Sequence, residues 1–187
     1  MPDARKLNVV DDNGNVIGEE TRERIHREGL LHREVNVWFY TPRGEIIFQH
    51  RGGSAESHPN LLDSTVGGHV EIGMDFDDAA LQEIEEETGV IVEKKELQRI
   101  AVLRMKSVDP VTGSNNNVFR SIYAYRYIGD TNDLKIEDGK GIGFEAWALE
   151  RVLTISDQDR LRIIPAILEA PTMDVLRKIQ ERIEHGI

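Results

Sequence analysis

Four carboxylates fall within five residues of this chain, at Glu83, Glu85, Glu86 and Glu87. On a helix, Glu83, Glu86 and Glu87 would share one face, because residues three and four apart are neighbours. Like charges at this spacing destabilise an isolated helix by about 0.2–0.5 kcal/mol per pair. A divalent cation bound through oxygen ligands would offset that repulsion. A solvated helix face is the competing interpretation, and the four glutamates taken alone favour it.

The residues on either side of the glutamates favour the metal site. Acidic residues begin the helix, where its dipole favours negative charge, and Gly89 is placed to end it. Phe76, Ala79 and Ala80 fall on the side of Glu83 and Glu87, so the acidic face continues into a small apolar one that can pack inward. Upstream, Gly67-Gly68 is expected to break the chain after a short strand at 64–66. Downstream, the β-branched run 90–92 predicts another strand.

This stretch resembles the Nudix box, G-x5-E-x7-R-E-U-x-E-E-x-G-U, in which U is aliphatic. The positions that match without a gap are Gly68, Glu83, Ile84, Glu86, Glu87, Gly89 and Val90. Met74 stands where the family has Glu, and Gln82 stands where it has Arg. Because both departures remove a charge, neither leaves a charge unpaired, and we interpret them as a coordinated replacement. They predict slower catalysis or the use of another base.

The resemblance implies a hydrolase that cleaves a diphosphate linkage in a small nucleoside-diphosphate-like or other organic substrate. Mg²⁺ or Mn²⁺ would be held by Glu83, Glu86, Glu87 and the carbonyl of Gly68. Glu86 or Glu87 would orient or deprotonate the attacking water. An acidic residue outside the helix is the alternative base, and Glu137 and Glu145 are the candidates, although a solvated role is the simpler interpretation of each. A binding module of the same fold with little turnover is the alternative function.

The segment at 30–51 and the pair Gly68-His69 also resemble the isopentenyl diphosphate isomerase branch of this superfamily. That branch uses histidine and acidic metal ligands and a cysteine to move a double bond. His32 and His69 are in place, but Gly67 stands at the cysteine position and asparagines occupy 115–117, where the branch has metal-binding glutamates. Glycine has no side chain to carry a proton, so isomerase activity is not expected.

Three residues are predicted to contact substrate: Arg51, His32 and His69. Arg51 ends a predicted strand, and its guanidinium could grip a phosphate through two hydrogen bonds, although an ordinary surface arginine is an equal interpretation. His26 lies about one residue away from the isomerase spacing. We interpret it as a polar residue at a helix–strand junction.

Composition narrows the class of protein. The chain has 187 residues, of which 39% are hydrophobic and 30% are charged, typical of a folded domain. Its net charge of −11 argues against duplex nucleic acid as a partner. The sequence contains no cysteine, which excludes disulfides and thiol catalysis. No apolar run approaches the roughly 18 residues that span a membrane, and we expect a cytoplasmic protein.

The order of predicted elements indicates an α+β fold, an α/β/α sandwich around a mixed sheet as in the Nudix family. A hairpin turns at 12–14, a helix covers 19–28, and strands cover 33–41, 45–50, 97–107, 118–128 and 145–149. Helices are predicted at 157–169 and 171–185. Residues 1–155 are expected to form the Nudix domain with its N-terminal hairpin. Residues 156–187 would pack on that domain or form the surface of a homodimer.

Overall fold

The computed structural model describes residues 5–55, 57–109, 112–137 and 139–185. The strands in these residues are β1 (Lys6–Val10), β2 (Val16–Thr21), β3 (His32–Tyr40), β4 (Glu45–Arg51), β5 (Leu62–Asp63), β6 (Val66–His69), β7 (Gln98–Val108), β8 (Asn115–Arg126) and β9 (Gly141–Ala148). The α-helices are α1 (Arg22–Glu28), α2 (Phe76–Thr88), α3 (Leu149–Leu153), α4 (Asp157–Arg160) and α5 (Ala170–His185).

The central sheet is mixed, as predicted. Its strands run in the order β5-β4-β3-β8-β7, with β6 also paired to β3 and β9 paired to β4. The β3–β8 pair is parallel, while the other pairs in this sheet are antiparallel. Strand β3 therefore lies at the centre and contacts the elements on both sides of it.

Two apolar clusters cover the two faces of the sheet. Successive residues of a strand point to opposite faces, so β3 sends Val37 and Phe39 to one cluster and Trp38 and Tyr40 to the other. The first cluster includes residues of α2. The second includes residues of α3 and α5. The predicted α/β/α sandwich is confirmed.

The N-terminal hairpin forms, but the helix that follows it is shorter than predicted. Residues 19–21 extend β2 instead, with Asn8 opposite Glu19 and Lys6 opposite Thr21. Thr21 caps α1 by accepting a hydrogen bond from Arg24 N at 3.3 Å. The charged residues at 19–20 suit an exposed strand as well as a helix, so pairing with β1 decided their conformation.

Two predictions next to the acidic helix were wrong. Gly67 and Gly68 do not interrupt a strand but lie within β6, opposite Asn36 and Val35 of β3. The β-branched run 90–92 is not a strand. Val92 is buried in the cluster that includes α2, so the side chain meets its hydrophobic requirement without strand pairing. Tertiary packing overrode β-propensity here.

The predicted helix at 157–169 was also wrong. It is the short α4 followed by a 3-10 turn at Pro165–Leu168. Proline lacks an amide hydrogen and clashes with the preceding turn, so Pro165 does not fit the interior of a continuous helix. Helix α3 was not predicted. Helix α5 confirms the last prediction and packs on the sheet through Val175, Leu176 and Ile179.

Candidate active site

Helix α2 presents two of its glutamates to strand β6. Asp75 caps the helix by accepting a hydrogen bond from Asp78 N at 2.8 Å, and Gly89 ends it with a φ of 69°. Ala79, Ala80 and Ile84 are buried against the sheet. This small apolar face brings the helix close to the sheet, and the same side of the helix carries Glu83 and Glu87.

The glycine pair of β6 makes room for this approach. A Cβ atom added to Gly68 would overlap the carboxylate of Glu83. A Cβ atom on Gly67 would lie 2.7 Å from Nδ2 of Asn36. Glycine in a strand often marks a close approach by another group, and here the approaching group at Gly68 is a glutamate of the acidic helix.

Glu87 is almost completely buried, with 2% of its side chain exposed. Its Oε1 lies 2.7 Å from Nζ of Lys140, and its Oε2 accepts hydrogen bonds from Gln49 Nε2 at 3.2 Å and from Gly67 N at 3.4 Å. Burial raises the pKa of Glu87 even though Lys140 opposes the shift. The surrounding donors hold this carboxylate in one orientation.

Glu83 lies beside it with 15% of its side chain exposed and Oε2 3.9 Å from Nζ of Lys140. Burial, reinforced by repulsion from Glu87 and Glu86, raises the pKa of Glu83 to about 8. Glu83 thus resists ionisation, in part because the carboxylate of Glu87 repels it. A bound cation would offset this repulsion.

We expect Glu83→Gln to stabilise the metal-free protein above pH 8. Since the pKa of Glu83 rises from 4.5 to about 8 on folding, the folded protein binds more protons across this window and loses stability as pH rises through it. The variant should gain on the order of 4–5 kcal/mol in unfolding free energy at about pH 9 and less than about 0.5 kcal/mol near pH 4.5, because a difference of one pKa unit between the two states corresponds to about 1.4 kcal/mol. Urea unfolding in a chelator measures this, and a gain of equal size at both pH values would contradict it.

Glu86 lies at the exposed rim of the acidic group, where its charge repels the carboxylate of Glu83. It is exposed, and its Oε1 accepts a hydrogen bond from Gln82 Nε2 at 2.9 Å. Met74 packs against the cluster beneath α2. The two uncharged residues thus have separate partners: Gln82 orients a glutamate, whereas Met74 joins the core. Glu85 is exposed on the helix, as expected.

Lys140, which the sequence did not single out, completes the acidic group. Its Nζ also lies 3.4 Å from Oε2 of Glu137. Of the two candidate acids outside the helix, the structure therefore brings Glu137 to the site. Glu145 instead pairs with Arg162 at 2.6 Å and accepts a hydrogen bond from Nε1 of Trp147 at 2.7 Å.

Three histidines form a second group. The ligand atoms of His26, His32 and His69 all lie within 4.8 Å of one another. His26 and His32 each place Nδ1 near a backbone carbonyl, that of Asn115 at 3.4 Å and that of Leu30 at 3.0 Å. Such bonds orient metal-binding imidazoles and leave Nε2 for the ion. His26 is therefore part of this cluster and not merely a polar junction residue.

Two of the histidines, His26 and His69, are disfavoured as cations by burial. Burial lowers the pKa of His69 to about 3 and also lowers the pKa of His26. Glu34 lies 3.5 Å from Nε2 of His32 and 3.6 Å from Nε2 of His69. Although burial acts to raise it, attraction to Arg120 at 2.6 Å holds the pKa of Glu34 well below its usual range. Neutral imidazoles beside a carboxylate can hold a transition-metal ion.

Both groups face one cleft of about 1070 Å³. Its lining includes Gly68, His69, Glu83, Glu87 and Arg51, whereas His32 is fully buried behind His69. Arg51 is already engaged, since it donates hydrogen bonds to Asp63 and to the carbonyl of Ser57, both at 3.0 Å.

Two loops meet at the mouth of this cleft, where Ser57 donates a hydrogen bond to Asp109. Part of the predicted turn at 109–114 lies outside the described residues, because 110 and 111 are not among them.

The acidic group has the chemistry of a hard-cation site. Mg²⁺ and Mn²⁺ prefer carboxylate, carbonyl and water oxygens, and the buried carboxylate of Glu87 stands beside that of Glu83 against the backbone of β6. The ammonium of Lys140 already lies among these carboxylates. The residues present therefore fit a divalent cation.

An α/β/α sandwich with an acidic helix packed on a glycine-containing strand defines the class of protein. The family model of the NUDIX domain matches residues 30–166, and the chain belongs to this family. Within the part of the chain that the structure describes, no helix is long and apolar enough to cross a membrane.

Individual relatives agree with the family. An uncharacterised Nudix hydrolase of Streptomyces coelicolor is 41% identical over 83 residues, 44% of this chain and 46% of that protein, so the chain spans about half the length of this curated relative. An isopentenyl-diphosphate Delta-isomerase of Halorhodospira halophila is 30% identical over 89% of this chain and 95% of its own length. A crystal structure from Deinococcus radiodurans shares the fold with a TM-score of 0.70 at 21% identity, covering 93% of this chain and 98% of that one.

Proposed function

We propose that this protein is a divalent-metal-dependent hydrolase that cleaves a diphosphate linkage in a small nucleoside-diphosphate-like or other organic substrate. The observation that carries the proposal is the buried carboxylate of Glu87, which stands beside Glu83 and Gly68 in the wall of the large cleft. Membership of the NUDIX family supports the reaction class. We also propose a cytoplasmic location, and the homodimer stays a prediction.

Mg²⁺ or Mn²⁺ would be held by Glu83, Glu86, Glu87 and the carbonyl of Gly68. When bound, the ion would neutralise charge on the diphosphate and lower the pKa of an attacking water. Gln49 and the amide of Gly67 position Glu87 from behind, through its Oε2. Both donors belong to the sheet, so they fix this carboxylate against β4 and β6.

Glu86 and Glu87 are the candidates to orient or deprotonate the water. Gln82 fixes Glu86 at the rim by a hydrogen bond, and Glu137 is the acidic residue outside the helix that could take this role. Neither Met74 nor Gln82 can accept a proton at neutral pH. His69 lines the same cleft as Arg51, and these two remain the proposed contacts to substrate. The predicted contact from His32 is not supported, because its side chain is fully buried and does not reach the cleft.

The residues at the isomerase positions do not favour the chemistry for which the Halorhodospira relative is named. A cysteine at Gly67 would meet Asn36, whose Nδ2 would lie 2.7 Å from the added Cβ. The side chains of Asn115 and Asn117 donate hydrogen bonds to backbone carbonyls, Asn117 to that of Gly29 at 2.8 Å and Asn115 to that of Arg27 at 3.4 Å. The histidine cluster and the likeness to the Halorhodospira protein favour the isomerase, but position 67 has no side chain to move the proton.

A substrate panel tests the proposal against both alternatives. The protein is incubated with Mg²⁺ or Mn²⁺ and nucleotide sugars, dinucleotides, nucleoside triphosphates or prenyl diphosphates, and phosphate-bond cleavage is measured. We expect at least one member to be cut faster by the natural protein than by Glu86→Gln, Glu87→Gln protein. Equal rates across the panel would leave the binding module, and conversion of isopentenyl diphosphate without phosphate release would establish the isomerase.

A further inference from the structure

One lysine side chain lies where a cation is needed in the acidic group. Lys140 Nζ lies 2.7 Å from Glu87 Oε1, 3.4 Å from Glu137 Oε2 and 3.9 Å from Glu83 Oε2. It reaches the site from the segment just before β9, whereas Glu83 and Glu87 are on α2. The contact with Glu87 spans 53 residues of sequence.

The burial of the two partners is unequal. Glu87 is 2% exposed, whereas Lys140 is 42% exposed. A buried carboxylate without a counter-charge is costly, so Glu87 requires a cation or a proton. Lys140 has a path to solvent along its exposed side and can leave without unfolding the chain, because its four-carbon stem is flexible.

The ammonium of Lys140 and a divalent ion would compete for the same carboxylate, that of Glu87. Lysine ordinarily carries a positive charge at neutral pH, and the ammonium of Lys140 lies within 4 Å of the carboxylates of Glu87, Glu83 and Glu137. A divalent ion bound to Glu83 and Glu87 would face this positive charge at a few ångströms, where the repulsion is strong.

We propose that Lys140 is a tethered cation that holds the place of the divalent ion between Glu83 and Glu87 and is displaced when the ion binds. Lys140 lines the cleft, so its ammonium has space to move into when it is released. The inference rests on the proposed function, since it takes the acidic group as the metal site. By competing with the ion, Lys140 would lower the affinity of the site for the metal.

Calorimetric titration with Mn²⁺ alone, in chelator-stripped protein at low ionic strength, tests the displacement. We expect Lys140→Met to bind Mn²⁺ about tenfold more tightly than the natural protein, because the ion no longer competes with an ammonium. Lys140→Gln keeps a polar side chain and should change affinity in the same direction. Lys95→Met is the matched control, since Lys95 is 77% exposed and pairs with the exposed Glu93 at 2.7 Å. Its affinity should be unchanged.

Thermal unfolding gives a second readout that does not depend on turnover. Without metal, Lys140→Met should melt below the natural protein because Glu87 has lost its counter-charge. Saturating Mn²⁺ should then raise its melting temperature by more than it raises that of the natural protein, since tighter binding stabilises the folded state further. If Lys140→Met does not fold, the titration of Lys140→Gln decides.

The outcomes separate this inference from the proposed function. If Glu87→Gln abolishes Mn²⁺ binding but neither Lys140 variant tightens it, the metal site stands and displacement of Lys140 is wrong. If the natural protein and Glu87→Gln bind Mn²⁺ alike, or neither binds it, the acidic group is not the metal site and both proposals fail. Tighter binding in both Lys140 variants, with Lys95→Met unchanged, supports the displacement.

Discussion

Glu87→Gln is expected to lower kcat/KM for diphosphate hydrolysis by about three orders of magnitude, equivalent to roughly 4 kcal/mol of lost transition-state stabilisation. The amide has the shape of the carboxylate and can still accept hydrogen bonds from Gln49 and Gly67. It has no charge with which to bind a divalent cation or activate water. Steady-state kinetics on the best substrate of the panel, with Mn²⁺ titration in parallel, measures both losses.

Glu85→Gln is the matched control for this result, because Glu85 lies on the same helix but is exposed to solvent. We expect its kcat/KM to remain within about twofold of the natural value, since exposed charge changes have small effects. Activity of Glu87→Gln within a few fold of the natural protein would remove Glu87 from the catalytic site. Equal losses in both variants would point to a general effect of charge on the helix.

Gly68→Ala is expected to lower kcat/KM and Mn²⁺ affinity by about a hundredfold each, because small misplacements of catalytic groups carry penalties of this size. The added Cβ would overlap the carboxylate of Glu83, so that side chain must leave its position beside Glu87. The end of Glu83 is flexible, and the chain should therefore fold. Circular dichroism and thermal unfolding check folding, while calorimetry and kinetics measure the loss.

Gly143→Ala controls for the general effect of replacing a strand glycine. Gly143 lies in β9, and among the described residues a Cβ atom there would have no heavy atom within 4 Å apart from its neighbours along the chain. Its activity should be close to that of the natural protein. Full Mn²⁺ affinity in Gly68→Ala would show that Glu83 does not need the position it has in this structure, which would weaken its assignment as a ligand.

The local sequence was sufficient to predict the acidic helix and both of its ends. Its start at Asp75, its end at Gly89 and its buried alanines follow from capping preferences and from side-chain spacing along a helix. The alternating apolar pattern of β3 likewise predicted a strand. The predictions that failed, such as the strand at 90–92 and the helix at 157–169, concern segments whose composition suits one conformation while neighbouring elements or a proline impose another.

The histidine cluster could be predicted only in part from the sequence. The resemblance to the isomerase branch points to His32 and His69, whereas the spacing of His26, off by about one position, favours a junction residue. The structure places α1 so that His26 Nε2 lies 3.1 Å from His69 Nε2. The position of a helix relative to a strand depends on packing, and a count of residues does not give it.

The sequence by itself determined that Glu83 and Glu87 share one helix face and that a glycine pair precedes them, because periodicity and glycine content are local properties. Only the tertiary structure decided that Gly68 abuts Glu83, that Glu86 lies at the rim, and that Lys140 reaches Glu87 across 53 residues. These contacts depend on how α2, β6 and the segment before β9 pack together. Packing depends on the burial of many side chains from distant parts of the chain, so it cannot be predicted from any single stretch of sequence.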